Sequence, residues 1–157
     1  MKLWRTVVAF LTVLSAPLAA AAAPAGKVVI AQGVDPSTLD MTNQQETPAS
    51  NVGAQIFDTL VERDANLKIV PALAAEVPRL VSPTVWEVKL RKGVKFHNGE
   101  EFNAESVKFS LERLVNPANK LRGASSFAPI DRVEVIDPLT VRVHTKKPWP
   151  VFRSEER

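Results

Sequence analysis

From Trp86 to Arg91 the chain alternates without a break: Trp86, Val88 and Leu90 are apolar, while Glu87, Lys89 and Arg91 are charged. Side chains of a strand point to opposite faces with a period of two, so this run specifies a strand with one dry and one wet face. The alternation returns in Arg132 to Ile136 and Thr140 to Thr145, on either side of Asp137-Pro138, as in an antiparallel hairpin. Between these runs the period changes. Asn103 suits a helix N-cap, Glu105 stands in the first turn where the helix dipole favours it, and Val107, Leu111 and Leu114 make one apolar stripe. The spacing predicts a helix from Ala104 to about Val115. One-faced strands and a one-striped helix bury their apolar sides against each other, which predicts an α/β or α+β domain.

Lys27 to Gln32 reads as a mostly buried strand ended by Gly33 and Pro36. A polar loop follows from Asp35 to Glu46. Thr47 is expected to cap a helix with Pro48 at its first position and Val52, Ile56 and Leu60 along one stripe. Asp64-Ala65-Asn66 marks a turn before a short strand over Leu67 to Val70. Pro71, Pro78 and Pro83 exclude a long helix there. Gly93 and Asn98-Gly99 supply tight turns around Val94 to Phe96.

The N-terminus has the three parts of a secretory leader. Lys2 and Arg5 give a positive start, Val7 to Leu18 is apolar, and Ala19 to Ala23 are small. Pro17 and the alanines leave the strongly apolar part short of the roughly 20 residues that span a bilayer. Cleavage is expected between Ala22 and Ala23, which makes residues 1–22 a signal peptide and Ala23 to Arg157 the exported chain. The net charge of +3 rests on 20 basic and 17 acidic residues, and Lys2 and Arg5 leave with the leader. Eighteen basic residues then face 17 acidic ones, a balance that does not call for nucleic acid. The cluster Arg91, Lys92, Lys95 is surrounded by Glu87, Glu100 and Glu101, which reads as a solvated mixed-charge surface.

Signs of catalysis are few. No cysteine exists, which excludes disulfides, thiolate metal sites, cysteine nucleophiles and a lipoprotein anchor. The six glycines form no phosphate-cradling loop. His97 and His144 have no second ligand at metal-site spacing and read as structural histidines. Ser106 and Ser110 fall inside the predicted helix rather than on a nucleophile elbow, and Glu100-Glu101 reads as a solvated turn pair. No enzyme activity, cofactor or metal is expected.

The stretch from Trp86 to Val107 carries a tryptophan, an alternating strand ending Leu90-Arg91, the turn Gly93-Val94-Lys95-Phe96, His97-Asn98-Gly99, and Ala104 opening a helix. This pattern resembles the extracellular solute-binding proteins of peptide and nickel ABC importers, family 5. Asp35 to Asp40, Ile56 to Val61 and Pro71 to Ala74 resemble the same family, so the likeness runs to about Phe152. Asn98 and Ser106 stand where the family commonly has Asp, Met41 where it has proline, and Val77-Pro78 where it often has a serine–tryptophan pair. These departures fall in turns and caps.

The resemblance implies a periplasmic-binding-protein type II-like fold, present as part of the first lobe only. It implies a periplasmic, monomeric binder of peptide, nickel chelate or another small solute that serves an inner-membrane ABC permease. In such a fold the loop after the first strand faces the cleft, which makes Asn43, Gln44, Gln45, Glu46 and Thr47 the candidate ligand contacts. Amides can pair with both main-chain N–H and C=O groups of an extended peptide, and Glu46 with an α-ammonium. The family's members are several times longer and close two lobes on the ligand. The chain is therefore expected to be a truncated product that binds peptide negligibly by itself and exposes apolar surface around Trp149 and Phe152. The alternative reading is a non-functional remnant or interaction fragment.

Overall fold

The alternating runs pair as their periods require. In the computed structural model, which describes residue 26 and residues 29–152, β3 (Arg79–Ser82), β4 (Val85–Lys89), β5 (Ile130–Asp137) and β6 (Thr140–Thr145) form one antiparallel sheet. Its order is β3-β4-β6-β5. Trp86 stands opposite Val143 and Val143 opposite Val133, while Val141 stands between Val88 and Val135. Against this dry face packs α2 (Ala104–Val115), with Ala104, Val107, Leu111 and Leu114 buried. The helix begins where Asn103 predicts. Asn103 Oδ1 accepts from the Ser106 amide at 3.1 Å, and Ser106 Oγ accepts from the Asn103 amide at 3.2 Å. Two of the helix's orphan donors are thereby satisfied.

The opposite face of the sheet carries a row of alternating charge. Arg79 faces Glu87, Glu87 faces Arg142, and Arg142 faces Glu134. Glu87 accepts from Arg79 at 2.8 Å and from Arg142 at 3.0 and 3.1 Å. The Arg142 guanidinium, followed by Arg79, holds the Glu87 carboxyl below its ordinary range. Opposite charges on directly paired residues stabilise the sheet while keeping this face wet. The edge strand β3 has a bulge between Leu80 and Ser82, and Leu80 and Val81 are exposed.

β1 (Val61–Arg63) and β2 (Ile69–Pro71) make a separate two-stranded pair. Their turn is closed by Asp64, whose Oδ1 accepts from the amides of Asn66 and Lys68 at 2.9 Å each. Gly93 and Gly99 both have positive φ, at 78° and 91°, where a side chain would be strained. The turns predicted there exist for that reason.

Three expectations need correction. Val29 to Gln32 lie in no strand, and Val29 and Ile30 are 77% and 78% exposed. Lys27 and Val28 of the predicted strand, like the predicted leader, lie outside the described residues. β-Branched residues suit a strand, but a strand exists only on a hydrogen-bonded neighbour, and no described strand pairs with this segment. The first helix, α1, is Thr47–Gly53, with Glu46 as N-cap and no side-chain cap bond from Thr47. It stops before Ile56 and Leu60. After Gly53 the amides of Ile56 and Phe57 both turn back to its carbonyl, at 3.0 and 2.8 Å, so the chain leaves the helix through a tight turn. The periodic stripe overran a glycine, the weakest helix former after proline.

The third correction concerns Trp149 and Phe152. They are 8% and 0% exposed. Phe152 lies 5.4 Å from Trp86 and 5.6 Å from Trp149 between ring centroids, and Trp149 meets Phe127 edge-on at 6.2 Å. The segment after β6 folds back and completes the core, because aromatic rings bury more area against one another than any other side chains available here.

Candidate functional site

The loop from Asp35 to Glu46 is held in shape by its own polar side chains. Asp40 caps a 3₁₀ turn over Met41–Asn43, its Oδ1 accepting from the Thr42 amide at 3.1 Å and from Thr42 Oγ1 at 2.6 Å. Glu46 Oε1 accepts from the Ser37 amide at 2.7 Å, and that bonding holds the Glu46 carboxyl below its ordinary range. Gln44 Oε1 accepts from the Glu46 amide at 2.8 Å, and its Nε2 donates to Ser50 Oγ at 3.1 Å. Asp, Asn and Gln side chains shape loops in this way because they reach main-chain groups two or more residues away.

Three contacts from far along the chain tie this loop down. Arg113, in the last turn of α2, reaches Asp40 Oδ2 and Thr42 Oγ1 at 2.5 Å each. The Arg113 guanidinium brings the Asp40 carboxyl down to about 2. Gln45 Nε2 donates to the Arg122 carbonyl at 2.9 Å, and the Arg122 amide donates to Asn43 Oδ1 at 3.5 Å. Beside them Gly123 packs so tightly that a Cβ there would stand 2.9 Å from the Thr42 carbonyl oxygen.

The five predicted contact residues thus sit together, on one loop and the start of α1. Asn43, Gln44 and Glu46 are half-buried, while Gln45 and Thr47 are exposed. Their polar atoms are largely engaged within the chain. Gln45 Oε1 and Glu46 Oε2 accept no hydrogen bond among the described residues. Sequence reasoning did not find Arg113 or Arg122. Neither lies at a local spacing from the loop, since more than 70 residues separate them, so no periodic signal links them.

Next to the loop lies an apolar cavity of about 260 Å³ walled by Phe57, Phe96, Phe102, Leu111, Leu114 and Phe127, with Thr42 on its rim. Its lining is mainly apolar, with Asp58, Thr59, Ser106 and Ser110 as further polar members, and it has room for an apolar side chain. The serines of the cavity wall and both histidines have structural or exposed settings. Ser106 Oγ donates to the Asn103 carbonyl at 2.7 Å and Ser110 Oγ to the Ser106 carbonyl at 2.9 Å. His144 Nε2 lies 2.8 Å from Glu134 Oε2, and the hydrogen bond lowers the Glu134 pKa. His97 is exposed. No three His, Cys, Asp or Glu side chains converge among the described residues.

A helix-covered sheet of this order has close counterparts among solved structures. The Haemophilus influenzae OppA complex with the peptide RPPGFSPFR superposes with a TM-score of 0.69 at 27% identity, over 79% of this chain and 29% of that one. Campylobacter jejuni NikZ in complex with Ni(L-His) gives a TM-score of 0.60 at 33% identity, over 64% of this chain and 20% of that one. The fold is that of the periplasmic-binding-protein type II class.

Residues 68–154 match the bacterial extracellular solute-binding proteins, family 5, in the family's middle part, and the chain belongs to that family. The glutathione-binding protein GsiB of Escherichia coli K12 is 34% identical over 142 residues, which are 90% of this chain. The chain spans 28% of the length of the GsiB relatives it matches. Among the described residues, no helix is long and apolar enough to cross a membrane.

Proposed function

We propose that this chain is part of the substrate-binding component of a peptide-type ABC importer. It acts in the periplasm once residues 1–22 are removed, takes up a peptide or related small solute, and delivers it to an inner-membrane permease. One observation carries the reading: the family match over 68–154 coincides with a fold shared with a peptide-bound OppA and a Ni(L-His)-bound NikZ. The role is capture, not catalysis. In this reading Asn43, Gln44, Gln45, Glu46 and Thr47 line one wall of the binding cleft. Gln45 and Glu46 offer free acceptors, Asn43 and Gln44 shape the loop around them, and Thr47 presents an exposed hydroxyl at the start of α1. The apolar cavity beside Thr42 gives the same wall a place for an apolar side chain.

A segment exchange tests this. Residues 26–152 replace the matching segment of GsiB, and the folded exchange protein is titrated calorimetrically with glutathione, RPPGFSPFR and Ni(L-His). Saturable binding of at least one is expected, weakened by Gln45→Ala or Glu46→Gln. A folded exchange protein that binds none of the three overturns the reading. This chain alone supplies one wall of a cleft that holds solute by enclosure, and it is expected to bind all three negligibly.

A further inference from the structure

We infer that Arg113 is a positioning residue for the proposed solute-facing loop, holding Asp40 and Thr42 so that residues 43–47 keep one conformation before any solute arrives. The inference rests on the reading of that loop as a cleft wall. The geometry is specific to a guanidinium. One fork arm meets Asp40 Oδ2 at 2.5 Å, and the other meets Thr42 Oγ1 at 2.5 Å and Asp40 Oδ1 at 3.4 Å. A planar five-donor group can grip a carboxylate and a hydroxyl together, whereas an ammonium is a single point.

Asp40 also organises the backbone. Asp40 Oδ1 caps the 3₁₀ turn through the Thr42 amide at 3.1 Å, and the Asp40 carbonyl receives the Asn43 amide at 2.9 Å. The arginine therefore grips the residue on which the turn is built. Glu46, the far end of the loop, is anchored separately to Ser37. Arg113 belongs to α2, whose opposite side is locked into the sheet, so the loop inherits the rigidity of the core. A loop already ordered loses less freedom on binding, which is how preorganisation raises affinity.

Amide hydrogen exchange of the full chain, read residue by residue, tests the inference without solute. In Arg113→Ala the amides of Thr42, Asn43 and Glu46 are expected to exchange about tenfold faster or more, the factor that losing a charge-assisted hydrogen bond implies. The amides of the β5–β6 hairpin should not change. Arg113→Lys should fall between, and Asp40→Asn should reproduce the local effect. Unchanged loop amides overturn the inference, as does equal acceleration in loop and hairpin, which describes a merely stabilising contact. Should both Arg113→Ala and Asp40→Asn fail to fold, the contact belongs to the core and the positioning role is overturned.

The GsiB exchange protein supplies the solute-binding readout. Arg113→Ala should weaken binding about tenfold there, with partial recovery in Arg113→Lys. Unaltered affinity despite a loosened loop overturns the link to the solute. An exchange protein that binds nothing removes the proposed function instead, while the exchange rates still decide whether Arg113 fixes the loop.

Discussion

Replacing Phe152 by alanine removes a ring that is wholly buried between Trp86 and Trp149. The loss has two parts. Truncating a buried phenylalanine costs about 3–5 kcal/mol through lost transfer energy and the cavity left behind. Each of its two aromatic contacts contributes about 0.5–1.5 kcal/mol within that total. A domain of this size has about 5–15 kcal/mol of net stability, so the substitution removes about a fifth of it at the least. The comparison is Phe109→Ala, because Phe109 is 69% exposed and its truncation should cost under about 0.5 kcal/mol. Urea unfolding followed by far-UV circular dichroism measures both without relying on the tryptophans beside the mutation. A double-mutant cycle of Phe152→Ala with Trp149→Ala should show coupling of about 0.5–1.5 kcal/mol. The reasoning fails if Phe152→Ala costs less than about 1 kcal/mol and does not differ from Phe109→Ala.

Two further outcomes follow from single buried or paired groups. The indole N–H of Trp86 is buried and has no acceptor among the described residues, which costs about 1–3 kcal/mol. Trp86→Phe removes that donor along with part of the ring, so the two changes offset and stability should move by about 1 kcal/mol or less. A loss above about 3 kcal/mol in the same unfolding experiment would show that the donor is satisfied. Asp40 titrates at about 2 in the folded chain against 3.8 for the free side chain, the Arg113 guanidinium being the main cause. A carboxyl whose folded pKa is depressed stabilises the fold in its ionised form. Its contribution is complete above 3.8 and disappears as the pH falls through about 2. Because the pair is about one-third exposed, solvent screening limits the contribution to about 1 kcal/mol. Thermal melts between pH 5 and pH 2 should show wild type losing this increment while Asp40→Asn does not, and parallel profiles would refute the assignment.

The strands and helix that carry the sheet were legible in local patterns. The alternation around Trp86, the cap at Asn103 and the valine hairpin each follow from a period or a single capping group, and β4, α2, β5 and β6 stand where those patterns put them. The misses have a common form. Val29 and Ile30 have strand chemistry without a paired neighbour, Ile56 and Leu60 continue a helical spacing past the glycine that ends the helix, and Phe152 was expected to be exposed for want of a second lobe. For Val29, Ile30 and Phe152 the outcome depends on what lies across space, which a local period does not encode, while Gly53 is a local stop that the apolar spacing overrode.

The loop shows the same division. That Asp40, Gln44 and Glu46 would form a polar, turn-rich loop could be read from residue types alone, as could the family pattern from Trp86 to Val107. Which groups hold it could not. Arg113 and Arg122 meet it only because α2 and the 3₁₀ segment after it pack beside its base. The sequence by itself determined β4, α2 and the β5–β6 hairpin, their wet and dry faces and the family pattern, because these depend on neighbours within a few residues. Tertiary structure alone decided that Phe152 closes the core on Trp86 and that Arg113 grips the loop at Asp40, because these contacts join residues more than 60 positions apart through packing of the domain.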